Sequence, residues 1–335
     1  MRAIQADRLD NLDDYAEVEI DLPQPKAREL RIKIAAVGIG YVDALVALGR
    51  YQVKPALPHV PGVDVAGTVD AIGEEVGGWR VGDRVMAMVT RGFAEYAIAR
   101  AALTVKLPHA VSFEQGAVVP LNYLTAIHAL RDRAQIRAGE TLLVFGAAGG
   151  VGLAAIQVGR ALGAQIIAVG STPEKRAFAV AHGAEAAIDT IVDGWRDRLK
   201  AALGGRPLGV VLDPVCGPLL EAAFRSLGWG GRHLVVGFVG GPIPALPVNL
   251  SLMKGAALVG VDERQFMQLE PDHAAAHLAQ IGDWLARGEI VPVVGRCFDW
   301  SDHKAALSFA FGGTGLGKPV LKSGHEPPPT EIDRP

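Results

Sequence analysis

A glycine-rich segment near the middle of the chain has the spacing of a phosphate-binding turn. An apolar run, Leu-Leu-Val-Phe at 142–145, leads into Gly-Ala-Ala-Gly-Gly-Val-Gly at 146–152. Gly149 would let the backbone approach a pyrophosphate, and Gly152 would let the following helix lie close to a strand. The free N–H groups at the start of that helix would face the phosphates. The predicted dinucleotide-binding residues here are Ala147, Ala148, Gly149, Gly150, Val151 and Gly152, with Ala147 in the place of the motif's first glycine.

Residues further along the chain indicate which dinucleotide would bind. An NAD site has a carboxylate at the end of the second strand, where it hydrogen-bonds the ribose 2′-OH. This chain has Gly170 and Ser171 at that position, followed by Lys175 and Arg176. A small residue, a hydroxyl and two cations suit a 2′-phosphate, so the sequence favours NADPH. Ser171 also fits a helix cap, which is compatible with phosphate binding, and Asp189 at the end of the next strand is interpreted as a turn residue.

The segments around these residues alternate between strand and helix, which predicts a doubly wound parallel sheet. Candidate strands span residues 141–145, 165–169, 186–189, 209–213, 232–238 and 256–261. Candidate helices span residues 150–162, 173–182 and 219–227. Six strands are the full complement of a Rossmann sheet. This context favours dinucleotide binding over the alternative, an ordinary tight turn between a strand and a helix.

The two ends of the chain differ from this centre. Residues up to about 110 read as short strands between glycines and prolines, without a sustained helical period. Residues 273–287 have helical spacing, and residues 323–335 read as a loose tail. The chain is therefore predicted to be α/β. A β-rich catalytic domain, split over 1–117 and 262–335, would surround a Rossmann domain at 118–261 that binds NADPH.

Composition limits the partners that the chain could have. Its formal net charge is −3 over 335 residues, so no basic excess indicates a nucleic acid or an anionic membrane. Half of the residues are apolar and 21% are charged, which is typical of a protein with large buried cores. Cys216 and Cys297 are too few for a disulfide framework or a cysteine-rich metal site. With no signal peptide and no apolar run of ~20 residues, the sequence predicts a cytoplasmic protein with a small-molecule partner.

Several further segments carry a resemblance to a known family. They are Gly-Arg-Tyr-Gln-Val-Lys-Pro at 49–55, Leu-Pro-His-Val-Pro-Gly-Val-Asp-Val-Ala-Gly at 57–67, Asp213-Pro214-Val215, Gly237-Phe238 and Gly317-Lys318. With the glycine-rich segment, they resemble the zinc-independent NADPH:quinone oxidoreductases, the zeta-crystallin-like members of the medium-chain dehydrogenase/reductase superfamily. The resemblance runs from Met1 to the region of Leu321, and it implies a GroES-like fold for the β-rich catalytic domain.

The resemblance also implies roles for residues outside the glycine-rich segment. Thr125 would lie by the nicotinamide carboxamide, and the loop at Gly237, Phe238 and Val239 would flank the nicotinamide ring. Tyr51 would line the substrate cleft, although a half-buried strand tyrosine is an equal alternative. Tyr51 and Thr125 are therefore the candidate catalytic residues.

Two positions depart from the family pattern. Gly40 stands where the family commonly has an asparagine, and this removes an amide donor for a substrate carbonyl. Cys216 replaces the first glycine of the family's Asp-Pro-Val-Gly-Gly. Asp43, three residues after Gly40, matches a family aspartate that fits either the site or a structural hydrogen bond.

The residue types alone argue against a catalytic zinc ion. Catalytic zinc needs three ligands drawn from Cys, His and acidic side chains, yet no Cys precedes Cys216. Gly62-Val63-Asp64 stands where zinc-dependent relatives have Gly-His-Glu, and His59 is interpreted as a packing or rim residue. The sequence therefore predicts no metal site.

Without a Lewis acid, hydride delivery is easiest to an acceptor that already spreads negative charge. The resemblance implies such a reaction, in which an NADPH-dependent reductase transfers hydride to a quinone or an activated enone. Two alternatives remain open. One is an enoyl-thioester reductase of the same superfamily, and the other is a non-catalytic protein that binds NADPH.

The last candidate strand predicts how two chains would associate. Residues 256–261 would lie at an edge of the Rossmann sheet. They are apolar on both faces and lack the Lys, Pro or charge that protects an exposed edge. A homodimer formed by two-fold pairing of this strand is predicted, as the resemblance also implies. The alternative is that a C-terminal helix or loop covers the edge.

Overall fold

The computed structural model describes residues 1–324, which divide into two compact units. Unit 1 comprises Met1–Leu121, Leu278–Ala286 and the chain from Pro292 onward. Unit 2 comprises Asn122–His277 and Arg287–Val291, so it extends beyond the predicted limit at residue 261. Most of the predicted tail lies outside the described residues.

The strands are β1 (Arg2–Gln5), β2 (Ala16–Glu19), β3 (Glu29–Gly38), β4 (Asp64–Ile72), β5 (Arg84–Val89), β6 (Tyr96–Lys106), β7 (Thr141–Val144), β8 (Gln165–Val169), β9 (Ala186–Ile188), β10 (Leu208–Asp213), β11 (Leu227–Val235), β12 (Ala257–Gly260), β13 (Val294–Phe298) and β14 (Lys318–Lys322). The α-helices are α1 (Tyr41–Ala47), α2 (Phe113–Ala117), α3 (Pro120–Ile127), α4 (Gly150–Ala161), α5 (Pro173–Ala181), α6 (Trp195–Leu203), α7 (Leu220–Ser226), α8 (Asn249–Lys254), α9 (Glu263–Leu269), α10 (Pro271–Ala286) and α11 (His303–Gly312). A π-helical segment, His128–Arg133, follows α3 directly.

Unit 1 is built on a mostly antiparallel sheet with the order β13-β14-β3-β4-β5-β6. β3 also pairs with β6, so the sheet curls back on itself around an apolar core. Helix α2 lies close on β3, since a side chain at Gly38 would meet the carbonyl oxygen of Ala117 at 2.0 Å. The short helix α1 falls in a region where no helical period was predicted. Its seven residues are too few to show a period, and it begins at Gly40, whose N–H donates to Asp43 Oδ2 at 2.6 Å.

Unit 2 contains a parallel sheet with the order β12-β11-β10-β7-β8-β9. This is the Rossmann order, in which the first strand lies in the middle and the chain winds outward in both directions. The predicted α/β class is confirmed, and five of the six strands match their predicted limits to within one residue. The exception is β11, which ends at Val235 and leaves Gly237 and Phe238 in a loop.

The predicted helices are present. Helices α4 and α5 each end one residue before the predicted limit, α7 is one residue shorter at each end than predicted, and α10 runs from Pro271 to Ala286 where a helix was predicted at 273–287. Helices α6, α8 and α9 were not predicted. Among residues 1–324, the structure contains no helix with the length and apolar character needed to span a membrane.

His59 is a buried structural side chain of unit 1. It is 8% exposed, and its Nδ1 lies 2.6 Å from the hydroxyl of Tyr15. Burial, with a smaller contribution from the charge of Arg91, lowers the pKa of His59 to about 4. The pKa of His59 in the folded protein lies below its ordinary value, so the unfolded chain binds the proton more readily. The contribution of His59 to stability is therefore lost as the pH falls below about 6.5.

We therefore predict that His59→Gln flattens the acid side of the stability profile. When the pH is lowered from 7 to 4.5, His59 should reduce the unfolding free energy of the wild type by roughly 2 kcal/mol, because the unfolded chain gains the proton. Urea denaturation at both pH values measures this difference. His109→Gln, at an exposed position, is the control and should keep the wild-type slope. An unchanged slope in His59→Gln would contradict the assignment.

Candidate functional site

The loop between β7 and α4 is held by close contacts within its own backbone. Gly146 has a φ of +58°, in the left-handed region that favours glycine. Its carbonyl accepts a hydrogen bond from the N–H of Gly149 at 2.9 Å. A side chain at Gly152 would lie 2.2 Å from the same carbonyl oxygen. Gly152 is therefore required because the first turn of α4 lies directly against the loop.

Gly149 differs from Gly152 in what surrounds it. A Cβ at Gly149 would meet one described atom within 4 Å, the Gly146 carbonyl oxygen at 3.3 Å. Gly149 is the N-cap residue of α4, and it makes no side-chain cap there. The first N–H groups of a helix have no partner within the helix. This helix start can therefore bind an anion, and the space above Gly149 can take one.

Asn122 is a contact of this loop that sequence reasoning missed. A Cβ at Gly150 would lie 2.5 Å from Nδ2 of Asn122, so the amide of Asn122 lies over the start of α4. Asn122 and Thr125 belong to the same helix, α3, and each side chain is 6% exposed. The contact joins residues 28 positions apart in the sequence, and no local motif marks it.

The end of β8 brings two of the predicted residues together. The Arg176 guanidinium donates through Nη1 to the carbonyl of Gly170 at 3.0 Å. A Cβ at Gly170 would lie 3.1 Å from Cγ of Arg176, so this side chain passes across the glycine. Thr172, and not Ser171, caps α5, because the Lys175 N–H donates to the Thr172 hydroxyl at 3.2 Å. The cap therefore leaves the exposed Ser171 hydroxyl to other partners.

Asp189 has the turn role that was predicted for it. Its Oδ1 accepts a hydrogen bond from the N–H of Ile191 at 2.9 Å. The same oxygen forms an ion pair with Arg198 at 3.0 Å. Both contacts lie in the connection that leads into α6.

A buried carboxylate organises the loops after β10 and β11. Asp213 Oδ1 accepts hydrogen bonds from the N–H groups of Val215 and Cys216 at 2.9 and 2.8 Å. Its Oδ2 lies 3.1 Å from Nε2 of His233, and both side chains are at most 1% exposed. The N–H of Val239 then donates to the carbonyl of Pro214 at 3.3 Å. Asp213 thus positions one loop directly and the Phe238–Val239 loop through it.

The predicted residues of this second loop are accessible. Phe238 is 45% exposed and Val239 is 47% exposed. A side chain at Gly237 would approach the carbonyl oxygen of Pro214 to 3.1 Å. Large apolar side chains are thus held at the carboxyl end of a parallel strand, which is where open α/β sheets bind ligands.

Cys216 occupies a glycine position of the family pattern at a conformational cost. Its φ is +44°, in the left-handed region that a non-glycine residue adopts with strain. Burial raises the pKa of the Cys216 thiol to about 12, with further contributions from Asp213. The thiol is therefore protonated at neutral pH and is not a nucleophile.

Unit 1 holds Tyr51 and a group of buried charges. Tyr51 is half-buried and lies in a loop after α1, not in a strand. Lys318 Nζ donates to Asp64 Oδ2, and the N–H of Leu121 donates to Asp64 Oδ1 at 2.9 Å. Burial raises the pKa of Asp43 to about 6, although the charge of Lys318 opposes that shift. Asp64 is therefore held in a buried ion pair with a lysine.

Two domain families match the chain. The alcohol dehydrogenase GroES-like domain matches residues 26–109, and the zinc-binding dehydrogenase domain matches residues 150–277. With the two sheets described above, these matches define an oxidoreductase of the medium-chain dehydrogenase/reductase superfamily. Quinone oxidoreductase from Sus scrofa is 35% identical over 283 residues, which cover 83% of this chain and 83% of the relative. This chain belongs to the quinone oxidoreductase family.

Solved structures of related proteins have the same fold. A mycobacterial protein solved in complex with NADPH is 30% identical and has a TM-score of 0.87, over 96% of this chain and 100% of that chain. Escherichia coli quinone oxidoreductase, also complexed with NADPH, is 26% identical and has a TM-score of 0.85, over 96% of this chain and 100% of that chain. The similarity therefore extends through both units.

We predict that Gly152→Ala destabilises the fold, because its Cβ cannot avoid the Gly146 carbonyl without moving α4. The expected loss is roughly 1–3 kcal/mol of unfolding free energy, as for other overpacked sites. Gly149→Ala is the matched control, and its stability should stay close to that of the wild type. Urea denaturation of the three proteins measures the effect, and equal stability of the two variants would refute the distinction.

Proposed function

We propose that this protein uses NADPH to reduce a quinone or an activated enone. The observation that carries the proposal is the open space at the start of α4. Gly149 leaves this space beside backbone N–H groups, which can donate hydrogen bonds to a pyrophosphate. When bound, NADPH supplies the hydride. The NADPH complexes of two similar proteins support this choice of cofactor.

The residues at the end of β8 would distinguish NADPH from NADH. Arg176 lies across Gly170, and its guanidinium keeps further N–H donors beyond the one that binds the Gly170 carbonyl. Ser171 is exposed beside it, and Lys175 lies in the first turn of α5. This end of the strand presents donors and positive charge, which a 2′-phosphate requires and a ribose hydroxyl does not.

Thr125 and the Phe238–Val239 loop would orient the nicotinamide. Thr125 is buried on α3, the helix whose Asn122 contacts the start of α4. Phe238 and Val239 offer exposed apolar surface to a planar ring. Tyr51 is proposed to line the substrate cleft. None of these residues can withdraw charge as strongly as a Lewis acid would.

We infer that the reaction needs no catalytic zinc. Asp64 forms a buried ion pair with Lys318, and His59 lies against Tyr15, so neither side chain is poised to bind a metal. The substrate must therefore stabilise the developing negative charge itself, as a quinone or a conjugated carbonyl does. A reducing compartment such as the cytoplasm suits the free thiols of Cys216 and Cys297.

A substrate panel tests the proposed reaction. Purified protein is treated with EDTA and mixed with NADPH and either 1,4-benzoquinone, 9,10-phenanthrenequinone, a small enone or an enoyl-CoA. We expect oxidation of NADPH with a quinone or the small enone. Gly149→Val is the control for turnover at this site, because its side chain would occupy the pyrophosphate position while sparing the fold. Turnover with the enoyl-CoA alone would identify an enoyl-thioester reductase, and NADPH binding without turnover would indicate a non-catalytic protein.

We predict that replacing both Lys175 and Arg176 with alanine weakens NADPH binding selectively. Each lost charged hydrogen bond should cost about 1–3 kcal/mol for NADPH, and NADH binding should hardly change. Fluorescence titration with both cofactors measures the two affinities. The control replaces Arg196 and Lys200, two exposed cations of α6, and should leave both affinities unchanged. Tighter binding of NADH than of NADPH by the wild type would contradict the assignment.

We also propose a homodimer formed through β12. This strand lies at the edge of the unit 2 sheet, and Leu258 in it is 46% exposed. The neighbouring Trp229, Val248 and Leu252 are 90%, 88% and 85% exposed. Exposed apolar side chains of this size near the edge of a sheet are typical of an interface, although the Arg133 guanidinium already donates to the carbonyl of Gly260 in β12. Two-fold antiparallel pairing of β12 would cover them.

For the dimer, the test is Val259→Lys. A charge at the middle of β12 should convert a wild-type dimer into a monomer, because strand pairing would desolvate it. Light scattering measures the mass of each protein. The control is Ile191→Lys, an exposed apolar residue at the other end of the sheet, which should stay dimeric. A wild-type mass of one chain would refute the dimer, and a dimeric Val259→Lys would place the interface elsewhere.

A further inference from the structure

A cluster of three histidines around one carboxylate lies in unit 2 and takes no part in the proposed reaction. It consists of Asp132 and His128 from the π-helical segment and of His273 and His277 from α10. We refer to these four residues as the Asp132 cluster. Its members come from segments about 140 positions apart in the sequence, so no sequence motif announces it.

The donor atoms of the cluster converge. Nε2 of His277 lies 2.8 Å from Asp132 Oδ2, and Nε2 of His273 lies 3.6 Å from Asp132 Oδ1. Each of the three residues offers a ligand atom, and these atoms all lie within 4.8 Å of one another. His273 and His277 are four residues apart on α10, so both face the same side of the helix. Ligand atoms that lie this close to one another can surround one small cation.

Other side chains hold these ligands in place. Nδ1 of His128 lies 2.8 Å from Asp132 Oδ2, and Nδ1 of His273 lies 3.2 Å from Glu270 Oε2. A carboxylate bound to the far nitrogen of a metal-ligating histidine fixes its tautomer and directs the other nitrogen at the metal. Phe266 stacks on His128 with ring centroids 3.9 Å apart, and it also contacts the rings of His273 and His277. The rings are thus oriented before any ion arrives.

The exposure of the cluster allows a cation to reach it. His277 is buried, whereas the His273 side chain is 46% exposed, so an ion can enter from that side.

We propose that Asp132, His273 and His277 form a binding site for a divalent transition metal, with Zn²⁺ as the ion that fits best. Two imidazoles and one carboxylate are a donor set of Zn²⁺ and its neighbours, whereas Mg²⁺ and Ca²⁺ prefer oxygen ligands. Three protein ligands leave a fourth position for water. Because the ligands come from two segments, a bound ion would join the π-helical segment to α10. The site would stabilise unit 2 and would not act on the hydride acceptor.

Metal binding is tested on the full-length protein after treatment with EDTA. Calorimetric titration with Zn²⁺ should show one ion per chain, and Co²⁺ should give the visible absorption of a tetrahedral complex. His273→Ala removes an exposed ligand, so its fold should survive, and it should weaken Zn²⁺ binding by at least about tenfold. Asp132→Asn should have a similar effect. His109→Ala, which removes an exposed histidine of unit 1, should bind as the wild type does.

The outcomes separate this site from the proposed reaction. Zn²⁺ should raise the unfolding temperature of the wild type and leave that of His273→Ala unchanged, while NADPH affinity stays equal in both. Absence of Zn²⁺ binding by the wild type would overturn the proposal. Equal Zn²⁺ affinity of the wild type and His273→Ala would overturn it as well, since the ion would then be bound elsewhere. Neither result depends on the identity of the hydride acceptor.

Discussion

The start of α4 depends on a single steric constraint, the absence of a side chain at Gly152. Any Cβ there would meet the Gly146 carbonyl at 2.2 Å, so the helix can begin against the loop only with glycine at this position. That contact sets the helix start directly after β7, the central strand of the parallel sheet. β8 and β10 flank β7 in the parallel sheet, so Gly170 after β8 and Asp213 at the end of β10 lie at the same, carboxyl, end of the strands. One close approach within the backbone thus places the proposed phosphate site among the loops that would select the cofactor.

A buried ion pair organises the charged side chains of unit 1. Lys318 supplies one buried positive charge, and Asp64 takes it in a direct ion pair. Asp43 is also buried, and its burial raises its pKa to about 6, because the charge of Lys318 and the N–H groups of Gly40 and Gly62 offset the burial only in part. The lysine therefore satisfies an acid that would otherwise need another cation. This ion pair is compatible with the proposed reaction, in which the substrate stabilises its own negative charge.

The sequence predicted those features that depend on neighbouring residues. The glycine spacing at 146–152 and the strand–helix alternation are local patterns, and they located the Rossmann sheet and most of its strand limits to within a residue. It missed α1, which is too short to show a period, and it placed the helix cap at Ser171 where Thr172 serves. The contact of Asn122 with the start of α4, and the approach of His277 to Asp132 across 145 positions, arise from tertiary packing alone.

Unit 2 contains two aspartate–histidine groups, and their surroundings give them different capacities. Asp213 receives two backbone N–H groups on one oxygen and His233 on the other, and both side chains are closed off from solvent. Asp213 thus ties one loop to His233 in a place that an ion from solvent cannot reach, so this pair holds the loops in place. Asp132 contacts three imidazoles, and that of His273 reaches the surface. An imidazole can exchange a proton for a metal ion, whereas a backbone amide cannot. The group around Asp213 is therefore structural, and the group around Asp132 is able to bind an ion.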